Sequence, residues 1–517
     1  MGHQRSALLI VGLLGASLAA CTSATHTSGT SSSGAESDAG PADGGNIDAS
    51  PPEGCHIDID RCSAPPLAVA PTVSTVAELV AAVNNGAAGA LVVVAPGTYE
   101  LDAPLRPKSG MTIRGAGAGK TILRNAPSWA PGTAGLDKDE GAQQSGIDCD
   151  AYLFSLPTDT KSLAVTDMTL TGPKMHGGVC GAQLDGLELA RLEFKSFLWS
   201  GVRTFIMTNA HFHHNVFIDA GGKSSITSGS SGGGLFLTYT SASEIDDNRF
   251  SITAAHQGDY YGVKGREARN VRIHHNTIDV FFSIELPFES DWSVEIDHNR
   301  LGGAVSIPKY AGGTFPEGGY TFHVHHNVFT TTYAFEFQRN AIEIDHNLFD
   351  FSTTDDGGNL ISGFDAVPAP GGARIHDNRI RNPGRGLYWN TGVYNDFAFT
   401  NNHVIATTTV TPRTEGLFDF RPDGEGGTTS WSTIQIKDNI FELEGTARPL
   451  MRNAESHAAV VENNKFVNVS DAAEYANPDT GAPRGPRDPL QFRLGASDEL
   501  TLDEWKVTPT ACSCPSP

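Results

Sequence analysis

The sequence predicts an all-β solenoid of stacked parallel strands, and two observations carry that prediction. The first is a motif of apolar, two polar residues, Asn, any residue, apolar. It reads Phe212-His-His-Asn215-Val-Phe217, Ile245-Asp-Asp-Asn248-Arg-Phe250 and Ile273-His-His-Asn276-Thr-Ile278, and recurs at Asn299, Asn327, Asn347 and Asn378, with weaker copies at Asn402, Asn439 and Asn464. Successive asparagines are 20 to 37 residues apart. Such scatter means a constant unit with variable loops, and it excludes a helical-hairpin solenoid, whose period is stiff. The second observation is that the flanks alternate apolar and polar, as in Val271-Arg-Ile-His and Val294-Glu-Ile-Asp, which is strand periodicity. Each turn then holds about three short strands. Asn is expected to make the sharp bend itself, because it tolerates left-handed backbone angles, and stacked amides are expected to bond to one another as a ladder.

This pattern resembles the right-handed parallel β-helix of the pectate-lyase-like superfamily, over roughly residues 72–470. The elements follow in order. Val76-Ala-Glu-Leu-Val-Ala-Ala-Val83 is an amphipathic helix, expected to cap the open end of the first turn. Ala90-Leu-Val-Val-Val94, Met111-Thr-Ile-Arg114 and Thr121-Ile-Leu123 supply the first strands, and the β-helix is assigned to 55–470. Residues 471–517, Pro-rich at 477–489, read as a C-terminal cap.

The N-terminus reads as an address. A positive start, an apolar stretch from Ala7 to Ala20 and then Cys21 form a secretory signal. Leu18-Ala19-Ala20-Cys21 resembles a bacterial lipobox, which implies cleavage after residue 20, a lipid on Cys21, and an exported protein anchored at the outer membrane or cell surface. Residues 21–54, rich in Ser, Gly, Thr, Ala and Asp, form a tether too poor in large side chains to fold. Six further cysteines, in an exported chain, favour disulfides over zinc. Cys149 with Cys180 is the pairing expected, while Cys55, Cys62, Cys512 and Cys514 leave several pairings open.

The balance of 59 acidic against 36 basic residues, a net charge of −23, speaks against nucleic acid as a partner. The chain is expected to be a monomer. Of 18 histidines, nine sit one or two places before a ladder Asn: His213, His214, His274, His275, His298, His325, His326, His346 and His376. Equivalent positions in successive turns lie about 4.8 Å apart, within metal-binding reach. A mutually hydrogen-bonded stack is the plainer expectation, so no metal or other cofactor is assigned, and a calcium requirement is left open.

Chemistry in a solenoid belongs on one exposed sheet walled by long loops. The segments ahead of the Asn motifs carry Lys264, Arg266, Glu285, Glu289, Lys309, Tyr310, Glu336 and Arg339, with Tyr261 and Arg269 beside them. Counting back from Asn276 and Asn299 without a gap sets Lys264 opposite Pro287, Arg266 opposite Glu289 and Gly262 opposite Glu285. Lys264, Arg266, Arg269 and Arg272 form a basic strip on an acidic protein, which suits an anionic polysaccharide; cross-strand ion pairing explains it equally well.

The expected function is therefore a polysaccharide lyase acting on a uronate-containing chain. β-Elimination needs a cation to stabilise the developing carboxylate charge, a base for the C5 proton and an acid for the leaving oxygen. Lys264 suits the base, Arg266 or Arg339 the neutraliser, and Tyr310 or Tyr261 the acid. Lys264 also resembles the lysine of the alginate-lyase and chondroitinase B family, although Pro287-Phe288-Glu289 stands where that family carries its arginine motif. Alternatives on the same fold are an epimerase, a glycoside hydrolase using Glu285 and Glu336 as its carboxylate pair, and a non-catalytic glycan-binding surface protein.

Overall fold

In a computed structural model, the chain is a right-handed parallel β-helix. The structure describes residues 73–484 apart from 133–148, 222–231, 254–259, 286–292, 308–320, 338–341, 353–357, 367–372, 385, 393–396, 408–416, 422–433, 444–447, 453–458, 468, 471–474 and 477–482. Of the forty described strands, thirty-six join into one sheet wound turn upon turn, each pairing in parallel with its equivalents in the neighbouring turns, and the other four form two small two-stranded sheets near the C-terminal end of the described chain. Every turn offers three faces: one before the bend that precedes the Asn motif, one leading into the motif and one leaving it. Among the described residues no helix is long and apolar enough to cross a membrane.

The helix spans Val76–Asn84, with Thr75 as its N-cap. The Thr75 hydroxyl accepts from the Glu78 backbone while the Glu78 carboxylate accepts from the Thr75 backbone. Leu79 and Val83 are buried against the core of the first turns, as a cap requires. Cys149 and Cys180 form the expected disulfide, with Cα atoms 5.3 Å apart.

The ladder runs through all ten asparagines. Each amide Nδ2 donates to the Oδ1 of the next, at 2.9–3.2 Å, from Asn215 to Asn464. Each Oδ1 also takes the backbone N–H of the preceding Asn at 2.8–3.0 Å, so the buried amides are bonded on both sides. The bend itself belongs to a different residue from the one expected. The left-handed position is the one before each Asn: His214 has φ 56°, Asp247 52°, His275 54°, His298 53°, His326 54° and His346 52°. His, Asp and Asn are the side chains that tolerate this region best, which frees the ladder Asn for bonding alone.

Inside, an aromatic stack of Phe194, Phe217 and Phe250, with centroids 4.6 and 4.5 Å apart, fills the core of the middle turns. Glycines opposite make room for it: a Cβ on Gly234 would lie 2.5 Å from the Phe250 ring.

Candidate functional site

On the face before the bend, β-pairing lines up one outward row. Arg203 is in register with Phe236, Phe236 with Lys264, Lys264 with Glu285, Glu285 with Ser306, and Ser306 with Glu336. The gapless count from the Asn motifs therefore misplaces Lys264 by two residues: its neighbour is Glu285, not Pro287. The physical reason is bend length. Tyr261–His274 runs as one continuous strand, whereas segment 286–292 separates Phe282–Glu285 from Ser293–Asp297 and adds two residues to that turn.

The corrected register makes a polar core to the row. Lys264 Nζ stands 3.1 Å from Glu285 Oε1, with side chains only 11% and 14% exposed. The ammonium also lies 4.0 Å from the Tyr261 ring centroid and 5.8 Å from that of Phe236, and the Arg203 guanidinium stacks on the other reach of Phe236 at 4.2 Å. Arg203 is buried and donates to the Thr204 carbonyl and the Thr238 hydroxyl. Glu336, two strands beyond Glu285, has its carboxyl raised above the usual carboxylate range, first by burial and then by the Glu285 charge. Beside the row, Tyr261 stacks on Phe282 at 4.9 Å, Phe281 meets Phe282 edge-on at 4.7 Å, and Phe281 is 51% exposed.

Of the residues singled out from sequence, Lys264, Glu285, Glu336 and Tyr261 come together here. Arg269 lies at the bend, exposed and next to Asn270 with φ 49°. Arg266 is in register with Thr238, and its side chain is not described. Cys21, Glu289, Lys309, Tyr310 and Arg339 lie outside the described residues, as do loop 311–320 and all but Gly221, Gly232 and Gly233 of loop 221–233, the two loops that the sequence offers as walls of the site. The expected basic strip is broken up. Lys264 is paired with Glu285, and Arg272, past the bend on the next face, is bound in a fork to Asp297 at 2.9 and 2.8 Å. Phe236, Arg203 and Ser306 escaped the sequence reading because nothing short of the strand register brings them beside Lys264.

The face leading into the Asn corner carries a second constellation. Seven successive turns alternate basic with acidic side chains: His211/His213, Glu244/Asp246, Arg272/His274, Glu295/Asp297, His323/His325, Glu343/Asp345 and Arg374/His376 stand in register. Imidazoles and carboxylates bond across turns. His211 reaches Asp246 at 2.6 Å, His274 reaches Glu244 at 2.7 Å, His323 reaches Asp345 at 2.6 Å and His325 reaches Glu295 at 3.1 Å. In the corner position His275, His298, His326 and His346 stack ring on ring at 5.0–5.1 Å. The expected hydrogen-bonded stack is thus present, as an alternation of acid and base. Asp246 is held below the usual carboxylate range: burial opposes the shift, and the His211 hydrogen bond together with the electrostatic pull of His211, His274 and His213 outweighs it. Asp247 beside it is pushed up to about 7 by burial and the Asp246 charge.

Solved structures similar to this chain include the catalytic domain of a GH87 α-1,3-glucanase, at 12% identity over 73% of this chain and 70% of that one, with a TM-score of 0.45. The A-module of mannuronan C-5 epimerase AlgE4 from Azotobacter vinelandii matches at 13% identity over 78% and 97%, with a TM-score of 0.37. PfbA, a surface adhesin of Streptococcus pneumoniae, matches at 13% over 78% and 89%, with a TM-score of 0.38. No family model and no curated protein sequence matches the chain. Likenesses this remote say nothing about chemistry, which rests on the side chains above.

Proposed function

We propose that the chain is a carbohydrate-active protein whose site is the Lys264–Glu285–Ser306–Glu336 row, and that the row supports glycoside hydrolysis best. The observation that carries this is the unequal environment of two carboxyl groups in one row. Glu336 is driven toward its protonated form by burial and by Glu285, as a general acid must be. Glu285 stands against the Lys264 ammonium, as a carboxylate acting as base would. Environments that push two carboxyl groups apart are how one site assigns acid and base. The two strands are separated by one intervening strand, about 10 Å at ~4.8 Å per step. That lies nearest the roughly 6.5–9.5 Å of inverting enzymes, which leave room for a water, and well beyond the ~5–5.5 Å of retaining ones. The exposed Phe281 next to the stacked Tyr261 and Phe282 is a flat apolar platform of the kind on which a sugar ring can rest.

In this mechanism Glu336 protonates the leaving glycosidic oxygen while Glu285 takes a proton from water attacking on the opposite face of the sugar. Lys264 holds the Glu285 carboxylate in place, and Ser306, between the two carboxyl-bearing strands, is a positioning residue. The lyase expectation uses the same row but asks Lys264 to be a free base, whereas here its ammonium is committed to Glu285. The lipobox supports an exported, lipid-anchored location, and Cys21→Ala should then release the protein into the soluble fraction.

The test is incubation with a panel of neutral and uronate polysaccharides, following reducing ends, ultraviolet absorbance and product anomer. Reducing ends with inverted anomer and no new absorbance are expected, falling about 10²–10⁴-fold in Glu336→Gln. An unsaturated, absorbing product would return the site to β-elimination. Retention of a glycan with no turnover would make it a binding surface.

A further inference from the structure

We propose that His214, Asp246 and Asp247 form a binding site for one divalent first-row metal ion, zinc in the first instance. The site lies at an Asn corner, on a different face from the Lys264 row, and does not depend on the function proposed for that row.

The inference comes from following a chain of hydrogen bonds. His213 Nε2 lies 3.4 Å from Glu188 Oε1, and its Nδ1 lies 3.0 Å from His214 Nδ1. That contact takes up Nδ1 of His214 and leaves Nε2 as its other ring nitrogen. That atom is buried and has no hydrogen-bond partner, and Asp247 Oδ2 is 3.8 Å away, too far for a hydrogen bond. A buried, unbonded imidazole nitrogen facing a carboxyl group across that gap is an arrangement that a cation between them resolves.

The remaining geometry agrees. One ligand atom from each of His214, Asp246 and Asp247 lies within 4.8 Å of the others. An ion with bonds of about 2.0–2.2 Å needs them closer by about an ångström, which rotation of the half-buried Asp247 side chain can supply. Asp246 Oδ1 is fixed by His211 at 2.6 Å, and Asp246 also shares a side-chain hydrogen bond with Asp247, whose proton the ion would displace. The Glu188–His213–His214 relay is the kind of outer support that orients metal-bound imidazoles. One nitrogen and two carboxylates suit zinc and its neighbours better than calcium, which takes six to eight oxygens.

Two similar groups on the same face are already satisfied. In Glu244/Asp246/His274 and Glu295/Asp297/His325 the histidine Nε2 is bonded to the glutamate, at 2.7 and 3.1 Å, and Asp297 is also held by Arg272 and His298. Among the described corner positions two histidines, His214 and His346, are followed in the column by a carboxylate, Asp247 and Asp377, but the second pair is already engaged: His346 Nδ1 is bonded to Asp345 and Asp377 to His376, each at 2.7 Å.

The test uses the full chain, stripped with a chelator and titrated with cobalt(II) chloride, read by visible absorption and equilibrium dialysis, with zinc(II) as competitor. One tight equivalent is expected. It should weaken by at least about 100-fold in Asp247→Asn and His214→Asn, and by about 10–100-fold in His213→Gln. Asn occupies the same left-handed corner position at 401 and 463, so the two Asn variants keep the turn, and Asp438→Asn, at an exposed copy of that position, should bind like the parent. Failure of the parent to take up a stoichiometric ion would overturn the site, as would uptake in Asp247→Asn equal to the parent's. Loss in Glu295→Gln with retention in Asp247→Asn would place the ion two turns away and overturn the assignment equally.

Discussion

Lys264 and Glu285 occupy the same register position on neighbouring turns, and their charged atoms meet at 3.1 Å with little solvent on either side. A nearly buried ion pair is costly to break from one side, because the survivor keeps its charge and loses its partner.

Lys264→Met should therefore destabilise the fold by about 3 kcal/mol, at the lower end of what breaking a buried pair costs. Lys264→Met combined with Glu285→Met, which removes both charges, should recover most of that. Denaturant unfolding of the two variants side by side checks it; equal losses would mean the pair is not coupled.

The Asn ladder makes a positional prediction. Asn299→Ala removes donors to the Ile273 and Asp297 carbonyls and to Asn327 Oδ1, and removes the acceptor used by the Asn276 backbone and amide. At about 1–3 kcal/mol for each buried group left unsatisfied, the loss should exceed about 3 kcal/mol. Asn464→Ala, at the end of the run of ten, leaves only the Asn439 donors and the Ile436 carbonyl short and should cost distinctly less. Equal unfolding midpoints for the two variants would show that the ladder does not act as a chain of linked bonds.

Histidines of opposite character give the stability curve a summit. His403 is pushed down to about 4, first by burial and then by the Arg379 and Lys465 charges; Glu442 Oε1, 3.5 Å from its Nε2, is too distant to offset them. The unfolded chain takes that proton near 6.5 and the folded one only near 4. Stability is therefore lost as pH falls through that window, by at most about 3 kcal/mol. His376 is shifted the other way: burial opposes the shift, and hydrogen bonds to Asp377 and Glu343 outweigh it. Its contribution is complete below 6.5 and is lost as pH rises through its folded value. Thermal midpoints measured from pH 4 to 9 should peak near 6 to 7, and His403→Asn should flatten the acid side. A curve still falling as steeply in that variant would remove His403 as the cause.

Local chemistry explains what the sequence made legible. The Asn ladder could be read because one residue type recurs where one bond recurs, and Asn215 to Asn464 all bond as expected. The bend was assigned to the wrong neighbour because Asn and His both tolerate left-handed angles, and only the backbone of His275 or His326 separates the one that bends from the one that bonds. The pairing of Lys264 was missed because it depends on the length of the following bend, which the residue types of 286–292 do not reveal. The hydrogen-bond chain through Glu188, His213 and His214 joins two turns, and no linear motif writes it down.

Alternation of acidic and basic turns also sets the unit by which this chain can change length. Between His211 and His376 each basic turn meets acidic neighbours. Excising the segment of Glu295 and Asp297 alone would set Arg272 and His274 directly against His323 and His325, taking from Arg272 its Asp297 fork and from His325 its Glu295 partner. Removing or duplicating two adjacent turns keeps every contact attractive. In this region the acid–base pattern repeats every two turns while the backbone repeats every one, so shortenings and lengthenings of the solenoid that keep its stability should come in pairs of turns.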